Sequence, residues 1–366
     1  MKSEVSSPQI SPDTLDPSRV RSVLLVRLRS IGDTVLMTPC LAALKSWNAD
    51  IKITVVSESL AAPLLEDHPL VDNLIIAGNS IASRARSITQ LRGCGFDAAF
   101  NMHGGSTGAI LTKLSGAKRS VGYRDLPLSW LLSDRAPAPN LILGRSRIHS
   151  LEQQLALLNW SGVPWRSSRP KLGLAVSEEA KLRVTEKLRA LGISEQFGNI
   201  ACIVPGAALE PKRWSAEGFA AAADHLSERW KLSSLVIAGP GQEELALEVA
   251  SATRGRAAVI DQLSLKELVA LLDMSRVFVG NDGGPMHIAA ALGVPIVAVW
   301  GASDPTVWHP WTEAPYRTVE ARSSKRDVTI KGIPAKEVID AVDEVLELAL
   351  GANYKADAAQ RANAEV

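Results

Sequence analysis

Hydrophobic positions fall into short runs from Val23 onward, each followed by a turn and then by a stretch with helical spacing. Residues 23–28 lead into a helix over 34–47, residues 51–56 into a short helix near 61–65, and residues 74–76 into a helix over 81–91. Residues 98–102 pass through His103-Gly104-Gly105 into a helix over 106–114, and 120–123 read as a fifth strand. This is the rhythm of parallel strands joined by crossover helices. A Pro-, Arg- and Trp-rich stretch over about 126–171, broken by a helix over 149–159, reads as the hinge. After a charged helix over 177–191 the alternation restarts, with strands at 200–204, 235–238, 257–260, 277–279 and 296–299. Helices are expected between them, one opened by the capping box Ser264-Leu265-Lys266-Glu267, and a terminal amphipathic helix over 338–350. The pattern predicts two Rossmann-like, doubly wound α/β domains facing across a cleft, residues 20–175 and 176–350, between a disordered tail (1–19) and a frayed one (351–366).

Composition narrows the class. At 366 residues, with 46% hydrophobic and 22% charged, the chain can bury large cores without staples. Cys40, Cys94 and Cys202 are odd in number and widely spaced, which fits neither a disulfide framework nor a metal knuckle and points to a reducing, cytoplasmic setting. No secretory signal opens the chain, and the longest apolar stretch, 287–302, is interrupted by Gly293 and Pro295. The net charge of +1 conceals an asymmetry: residues 1–175 carry 20 Lys+Arg against 13 Asp+Glu, while 176–366 carry 20 against 26. The basic excess includes Arg27, Arg29, Lys113, Lys118, Arg119, Arg124, Arg145, Arg147, Arg166 and Arg169; ordinary solvation accounts for some of these, and the remainder suits an acidic partner at an anionic membrane surface.

Open α/β sheets bind ligands at the carboxyl ends of their strands, so the residues just after strands carry the candidate chemistry. After the first strand, Gly32 allows a tight turn and Asp33 reads either as a helix N-cap or as a functional carboxylate. Pro39 implies that this helix kinks, or begins properly at Thr38-Pro39. In the second half, Asn281-Asp282-Gly283-Gly284-Pro285-Met286-His287 runs from a strand into a helix. Its glycines let backbone amides approach an anion, which makes it a candidate diphosphate cradle. Asp282 suits holding the loop or accepting from a hydroxyl, and His287 reads more readily as a packed helix residue than as a catalyst. Lys212, ahead of another helix, offers a point charge to a phosphate or is half of a surface basic pair. Gly239-Pro240-Gly241 imitates a dinucleotide fingerprint but lacks its third glycine, leaving Glu243 or Glu244 as a ribose reader. No metal-ligand motif, P-loop or GxSxG is present.

Three segments together, residues 23–44 (VLLVRLRSIGDTVLMTPCLAAL), 205–214 (PGAALEPKRW) and 279–304 (VGNDGGPMHIAAALGVPIVAVWGASD), resemble the ADP-heptose:lipopolysaccharide heptosyltransferases, glycosyltransferase family nine, over roughly residues 22–310. The resemblance implies a GT-B fold with the acceptor on the N-terminal domain and the nucleotide sugar on the C-terminal one. It also implies inverting heptose transfer from ADP-heptose to a lipopolysaccharide core acceptor without a metal or other cofactor. The family's catalytic aspartate falls on Asp33, its phosphate-contacting lysine on Lys212, its Asp-x-Gly loop on Asp282, Gly283 and Gly284 with His287 following, and its ribose-binding glutamate near Glu243, with Gln242 and Glu244 as neighbours in register. Arg29, His103 and Arg124 are candidates on the acceptor side. The partners implied are a nucleotide-sugar donor and an anionic glycolipid acceptor, with peripheral contact at the cytoplasmic face of the inner membrane and no nucleic acid. The chain departs from the family pattern at Val204, at Ser215 where Pro is usual, and at Trp308-His309-Pro310-Trp311. The rival readings are another GT-B enzyme such as a nucleotide-sugar epimerase, or a catalytically silent nucleotide-sugar-binding protein.

Overall fold

The computed structural model describes residues 11, 13–78, 80–165, 170–193, 199–255, 257–301, 303–321 and 330–351. Contacts divide the chain into two compact units, Met1–Ala175 and Val176–Val366.

The first unit runs β1 (Ser22–Val26), α1 (Ile31–Trp47), β2 (Lys52–Ser57), β3 (Asn73–Ile76), α2 (Ile81–Gly93), β4 (Ala98–Asn101), α3 (Ser106–Leu114), β5 (Arg119–Tyr123), β6 (Asp134–Ala136), α4 (Pro139–Leu143) and α5 (Ser150–Trp160). Its six strands are all parallel, in the order β3-β2-β1-β4-β5-β6. The central strand β1 is apolar and buried over Val23–Val26 because helices cover both faces, and Leu24, Val26, Val56 and Ala99 share one cluster with Phe96 and Leu111.

The second unit runs α6 (Glu178–Ala190), β7 (Ile200–Val204), α7 (Ala216–Trp230), β8 (Ser233–Ile237), α8 (Glu243–Ala252), β9 (Ala257–Ile260), α9 (Leu265–Met274), β10 (Val277–Asn281), α10 (Gly284–Ala291), β11 (Ile296–Trp300), α11 (Pro305–Trp308), β12 (Tyr316–Glu320) and α12 (Ala335–Gly351). Its sheet is also parallel, in the order β12-β11-β10-β7-β8-β9. Counted from its own first strand, each sheet therefore has the 3-2-1-4-5-6 arrangement of a doubly wound fold.

Several expectations change. Strands β6 and β12 escaped the hydrophobic reading because edge strands pair on one side only. The three residues of β6 are Asp-Arg-Ala, and β12 buries only Val319. The presumed hinge is structured: β6, α4 and α5 lie within it, and α5 packs against α1. Residues 13–19 of the tail expected to be disordered are docked. The Leu15 side chain is buried, its N–H donates to the Ser161 carbonyl at 2.8 Å, and Ser11 N–H donates to Trp160 at 2.8 Å. These carbonyls lie at the end of α5, where the helix supplies no donors. Residues 1–10 and 352–366 lie outside the described residues.

Helix α1 starts at Ile31, three residues earlier than expected, so Asp33 sits inside the first turn and Ser30 is the N-cap. The helix also runs unbroken through Pro39. Proline removes the amide that would bond the Val35 carbonyl four residues back, and the Thr38 hydroxyl donates to that carbonyl at 2.7 Å in its place. The same hydroxyl accepts from the Gly173 amide at 3.0 Å, tying the end of the first unit to this helix.

Candidate active site

In the first sheet the chain leaves β1 toward β2 on one side, while β4 continues the sheet on the other. The carboxyl ends of β1 and β4 therefore flank the topological switch point. The segments that follow them are Arg27–Asp33 and Met102–Gly105. Arg27 is 6% exposed and donates from one guanidinium nitrogen to the Met102 carbonyl and from the other to Asp33 Oδ2, the latter at 2.5 Å. Ser30 Oγ donates to the same Oδ2 at 3.1 Å. Both donors thus fall on one carboxylate oxygen, and the Asp33 side chain keeps 22% of its surface open. Burial pulls the Arg27 guanidinium below its ordinary range, while the charge of Asp33 acts in the opposite direction.

His103 follows β4. Burial, then the charges of Arg27 and Arg29, push its imidazole below the usual range, against a backbone hydrogen bond at Arg29 and the charge of Glu58. It is therefore neutral at pH 7. The turn that holds it is shaped by Gly104, in the left-handed region at φ +77°, whose amide donates to Asn101 Oδ1 at 3.1 Å. Arg29 is exposed beside this cluster. Arg124 is exposed at the start of the loop after β5, and among the described residues no hydrogen bond or ion pair joins its side chain to Asp33 or His103. That loop reaches the His103 turn through Leu126, whose methyl lies over the Gly104 Cα.

The basic surface of this unit is smaller than its composition suggests. Arg27 is buried, Lys118 pairs with Asp97 at 2.8 Å, Arg119 with Asp134 at 2.5 Å and Arg145 with Glu152 at 2.5 Å. Arg29, Lys113, Arg124 and Arg147 are exposed, as are the paired Lys118 and Arg145, and Arg166 and Arg169 lie outside the described residues.

The second sheet has its switch point between β10 and β7. Asn281, 2% exposed at the end of β10, donates to the Pro205 carbonyl at 2.7 Å and accepts from the Trp214 amide at 3.1 Å, pinning both ends of the segment that carries Lys212. Lys212 Nζ lies 2.7 Å from Asp282 Oδ2, and Ser303 Oγ donates to the same oxygen at 2.5 Å. Asp282 thus links the turn after β10 to Lys212 and Ser303. Gly283 is the N-cap of α10 and brings no side chain to cap the first-turn amides, while Pro285 occupies the first turn, where no hydrogen bond is lost. The result is a lysine ammonium beside an uncapped helix start. His287 is 4% exposed within the first turn of α10, a packed position.

Glu243 opens α8 after β8 and accepts from the Gly241 amide at 3.2 Å. Gln242 is engaged elsewhere: its amide donates to the Ala207 carbonyl at 3.3 Å, and a Cβ at Gly206 would lie 1.8 Å from its Oε1. That leaves Glu243 and Glu244, both exposed, as the available carboxylates. Two departures from the family pattern have local explanations. Ser215 is the N-cap of α7 and accepts from Gly218 N–H at 3.1 Å, while His309 stacks with Trp311 and Tyr316 at 6.0 and 6.2 Å between centroids.

The sequence reading missed Arg27 as the partner of Asp33, and also missed Ser303 and Asn281. Arg27 carried a usable signal, since a charged residue inside an apolar strand run needs a buried partner. Ser303 carried none.

Two doubly wound sheets, each with its polar cluster at the switch point, define a GT-B glycosyltransferase fold. Residues 84–331, more than half of the chain, match the family described as glycosyltransferase family 9 (heptosyltransferase), and the chain belongs to that family. Among curated relatives, lipopolysaccharide heptosyltransferase 3 of Escherichia coli is 27% identical over 342 residues, covering 87% of this chain and 97% of the relative. Among solved structures, a family 9 glycosyl transferase from Veillonella parvula superposes with a TM-score of 0.79 at 23% identity, covering 91% of this chain and 98% of the other. The ADP-heptose lps heptosyltransferase II of E. coli does so with a TM-score of 0.75 at 22% identity, covering 89% and 99%.

Proposed function

We propose that the protein is an inverting heptosyltransferase that moves heptose from ADP-heptose to a sugar of the lipopolysaccharide core. The observation that carries this reading is the 2.7 Å Lys212–Asp282 pair beside the uncapped start of α10, a preformed receptor for a diphosphate. The donor is assigned to the second unit. Its diphosphate takes the Lys212 ammonium and the Gly283 and Gly284 amides, and its ribose hydroxyls meet Glu243. The acceptor is assigned to the first unit, where Arg29, His103 and Arg124 face an anionic glycolipid.

In the transfer step a hydroxyl oxygen of the acceptor bonds to the sugar C1 as the bond from C1 to the diphosphate oxygen breaks. Asp33 accepts the hydroxyl proton. Because Arg27 and Ser30 both occupy Oδ2, the proton goes to Oδ1. Charge on the departing diphosphate is stabilised by Lys212 and the α10 amides, a role a divalent ion fills in other transferases. No metal or other cofactor enters this scheme.

The acceptor is a membrane glycolipid, so the protein is assigned to the cytoplasmic face of the inner membrane as a peripheral enzyme. No described helix is long and apolar enough to cross a membrane. The test of the whole reading is mass-spectrometric detection of heptose added to a purified core acceptor, with ADP-heptose compared against UDP- and GDP-sugars. Transfer from ADP-heptose alone is expected. Epimerisation of the donor without any acceptor would support the rival enzyme instead.

A further inference from the structure

Lys212 is carried on the segment from Pro205 to Trp214, which leaves the end of β7 and enters α7. The crest of this segment, residues 208–211, is exposed, and the bonds along it are local: Lys212 N–H donates to the Leu209 carbonyl at 3.0 Å and Arg213 Nε to the Ala207 carbonyl at 3.1 Å. Its ion pair with a distant residue, Glu210 to Lys331 at 3.3 Å, is exposed on both sides and holds little. The two feet of the segment are buried instead. Trp214 is 1% exposed, its indole N–H donates to the Ile333 carbonyl at 3.0 Å, and its ring fills the space where a Cβ on Gly218 would stand 2.4 Å away. At the other foot Gly280 pairs with Val204, so closely that a Cβ on it would lie 2.9 Å from the Val204 carbonyl, and this sets Asn281 beside Pro205.

We infer that Asn281 is a positioning residue for the donor diphosphate: by tying the two feet together it sets where the Lys212 ammonium can reach. Its amide nitrogen donates to the Pro205 carbonyl at 2.7 Å, and its amide oxygen accepts from the Trp214 N–H at 3.1 Å. Both ends of one amide are needed, because a carbonyl can only accept and an N–H can only donate. A carboxylate lacks the donor, and a hydroxyl lacks the reach. The next residue, Asp282, meets the ammonium itself at 2.7 Å, so two consecutive residues at one strand end govern the base of the segment and its charged tip. Lysine is a point charge on a flexible stem, and its use to a phosphate depends on where its backbone is held. Asn281 is 2% exposed and acts through the segment, without touching the ligand. The inference rests on the proposed diphosphate role of Lys212.

The test uses the full chain, with calorimetric titration of ADP and of adenosine. Asn281→Ser is the first variant, and Asn281→Thr the second, since threonine refills more of the volume and suits a strand while still failing to span the two feet. Each should bind ADP about tenfold more weakly and adenosine within about twofold of the wild type, as expected when a charge-assisted contact is lost and the ribose contact is kept. In a Lys212→Ala background the same Asn281 substitutions should weaken ADP no further, because the two residues act as one unit. Phe278→Leu, a buried change three residues earlier on β10, should lower the denaturant midpoint and leave the ratio of ADP to adenosine affinity as it is. Equal losses on ADP and adenosine would overturn the inference and leave Asn281 a structural residue, as would losses that add to those of Lys212→Ala. Wild-type ADP affinity in Lys212→Ala alone would overturn the diphosphate reading itself, and this inference with it.

Discussion

The Arg27 guanidinium lies 2.5 Å from Asp33 Oδ2 and is itself 6% exposed, so a buried cation at the end of β1 fixes the carboxylate in the first turn of α1. The arrangement couples folding to function. A buried arginine is tolerable only with its charge and donors engaged, and the groups that engage it are the proposed base and the Met102 carbonyl after β4.

Replacing Arg27 should therefore act on stability and turnover together. Arg27→Gln leaves the Asp33 charge without its partner and should cost about 2–4 kcal/mol, read from the denaturant midpoint. Arg27→Lys keeps the charge but not the fork, and should recover part of both stability and kcat. Donor affinity should be unchanged in both, since Lys212, Glu243 and the α10 start lie in the other unit. An Arg27→Gln protein with wild-type kcat would show that Asp33 needs no positioning.

Donor recognition should divide between two residues. Lys212→Ala should weaken ADP binding and leave adenosine binding nearly unchanged, because the ammonium is assigned to the diphosphate. Glu243→Ala should weaken both to a similar degree, because both ligands carry the ribose. Calorimetric titration of the four pairs decides this, and an identical phosphate dependence in the two variants would contradict the assignments.

Turnover should also be indifferent to chelation. Excess EDTA is expected to leave the initial rate unchanged. A tenfold loss restored by Mg²⁺ would transfer leaving-group stabilisation from Lys212 to a metal.

Stability in acid should depend on Asp72. Burial alone would raise its carboxyl, but the Ile53 amide, Lys45 and Lys52 outweigh that and hold it at about 2. A carboxyl depressed in the folded state contributes stability that is present above its unfolded value near ~3.9 and is lost as pH falls through the folded one. Asp72→Asn should therefore cost about 2 kcal/mol at pH 7 and flatten the loss of stability between about pH 4 and pH 2. Urea titrations of both proteins at several pH values measure the difference, and parallel curves would remove Asp72 from the account.

The interior of each sheet was legible in the sequence because strands covered on both faces must be apolar throughout, as in the Ile200–Val204 and Ile296–Trp300 runs. The strand-to-helix turn at Gly283-Gly284-Pro285 could likewise be read, since proline fits the first turn of a helix, where its missing amide costs no hydrogen bond. The polar edge strands β6 and β12 look like loop sequence and were missed. The start of α1 was misplaced because Ile31 and Gly32 have no special helical signal, which cast Asp33 as a possible cap when it belongs to the first turn. Arg27 was counted among surface charges although it interrupts an apolar run, a signal that shows a buried partner is needed but not which residue supplies it. Its partners Asp33 and Met102 are set by tertiary contact between β1, α1 and β4.

The central claim is that Asp33 takes the proton of the acceptor hydroxyl, and Asp33→Asn tests it most directly because the amide keeps the size of the side chain while removing its basicity. The measurement is heptose transfer from ADP-heptose under saturating donor, with the donor Kd determined on the same preparations. The account predicts an unchanged Kd and a kcat lower by about 10²–10⁴. Wild-type kcat in the Asp33→Asn protein would contradict it and reduce Asp33 to a partner that neutralises the buried Arg27.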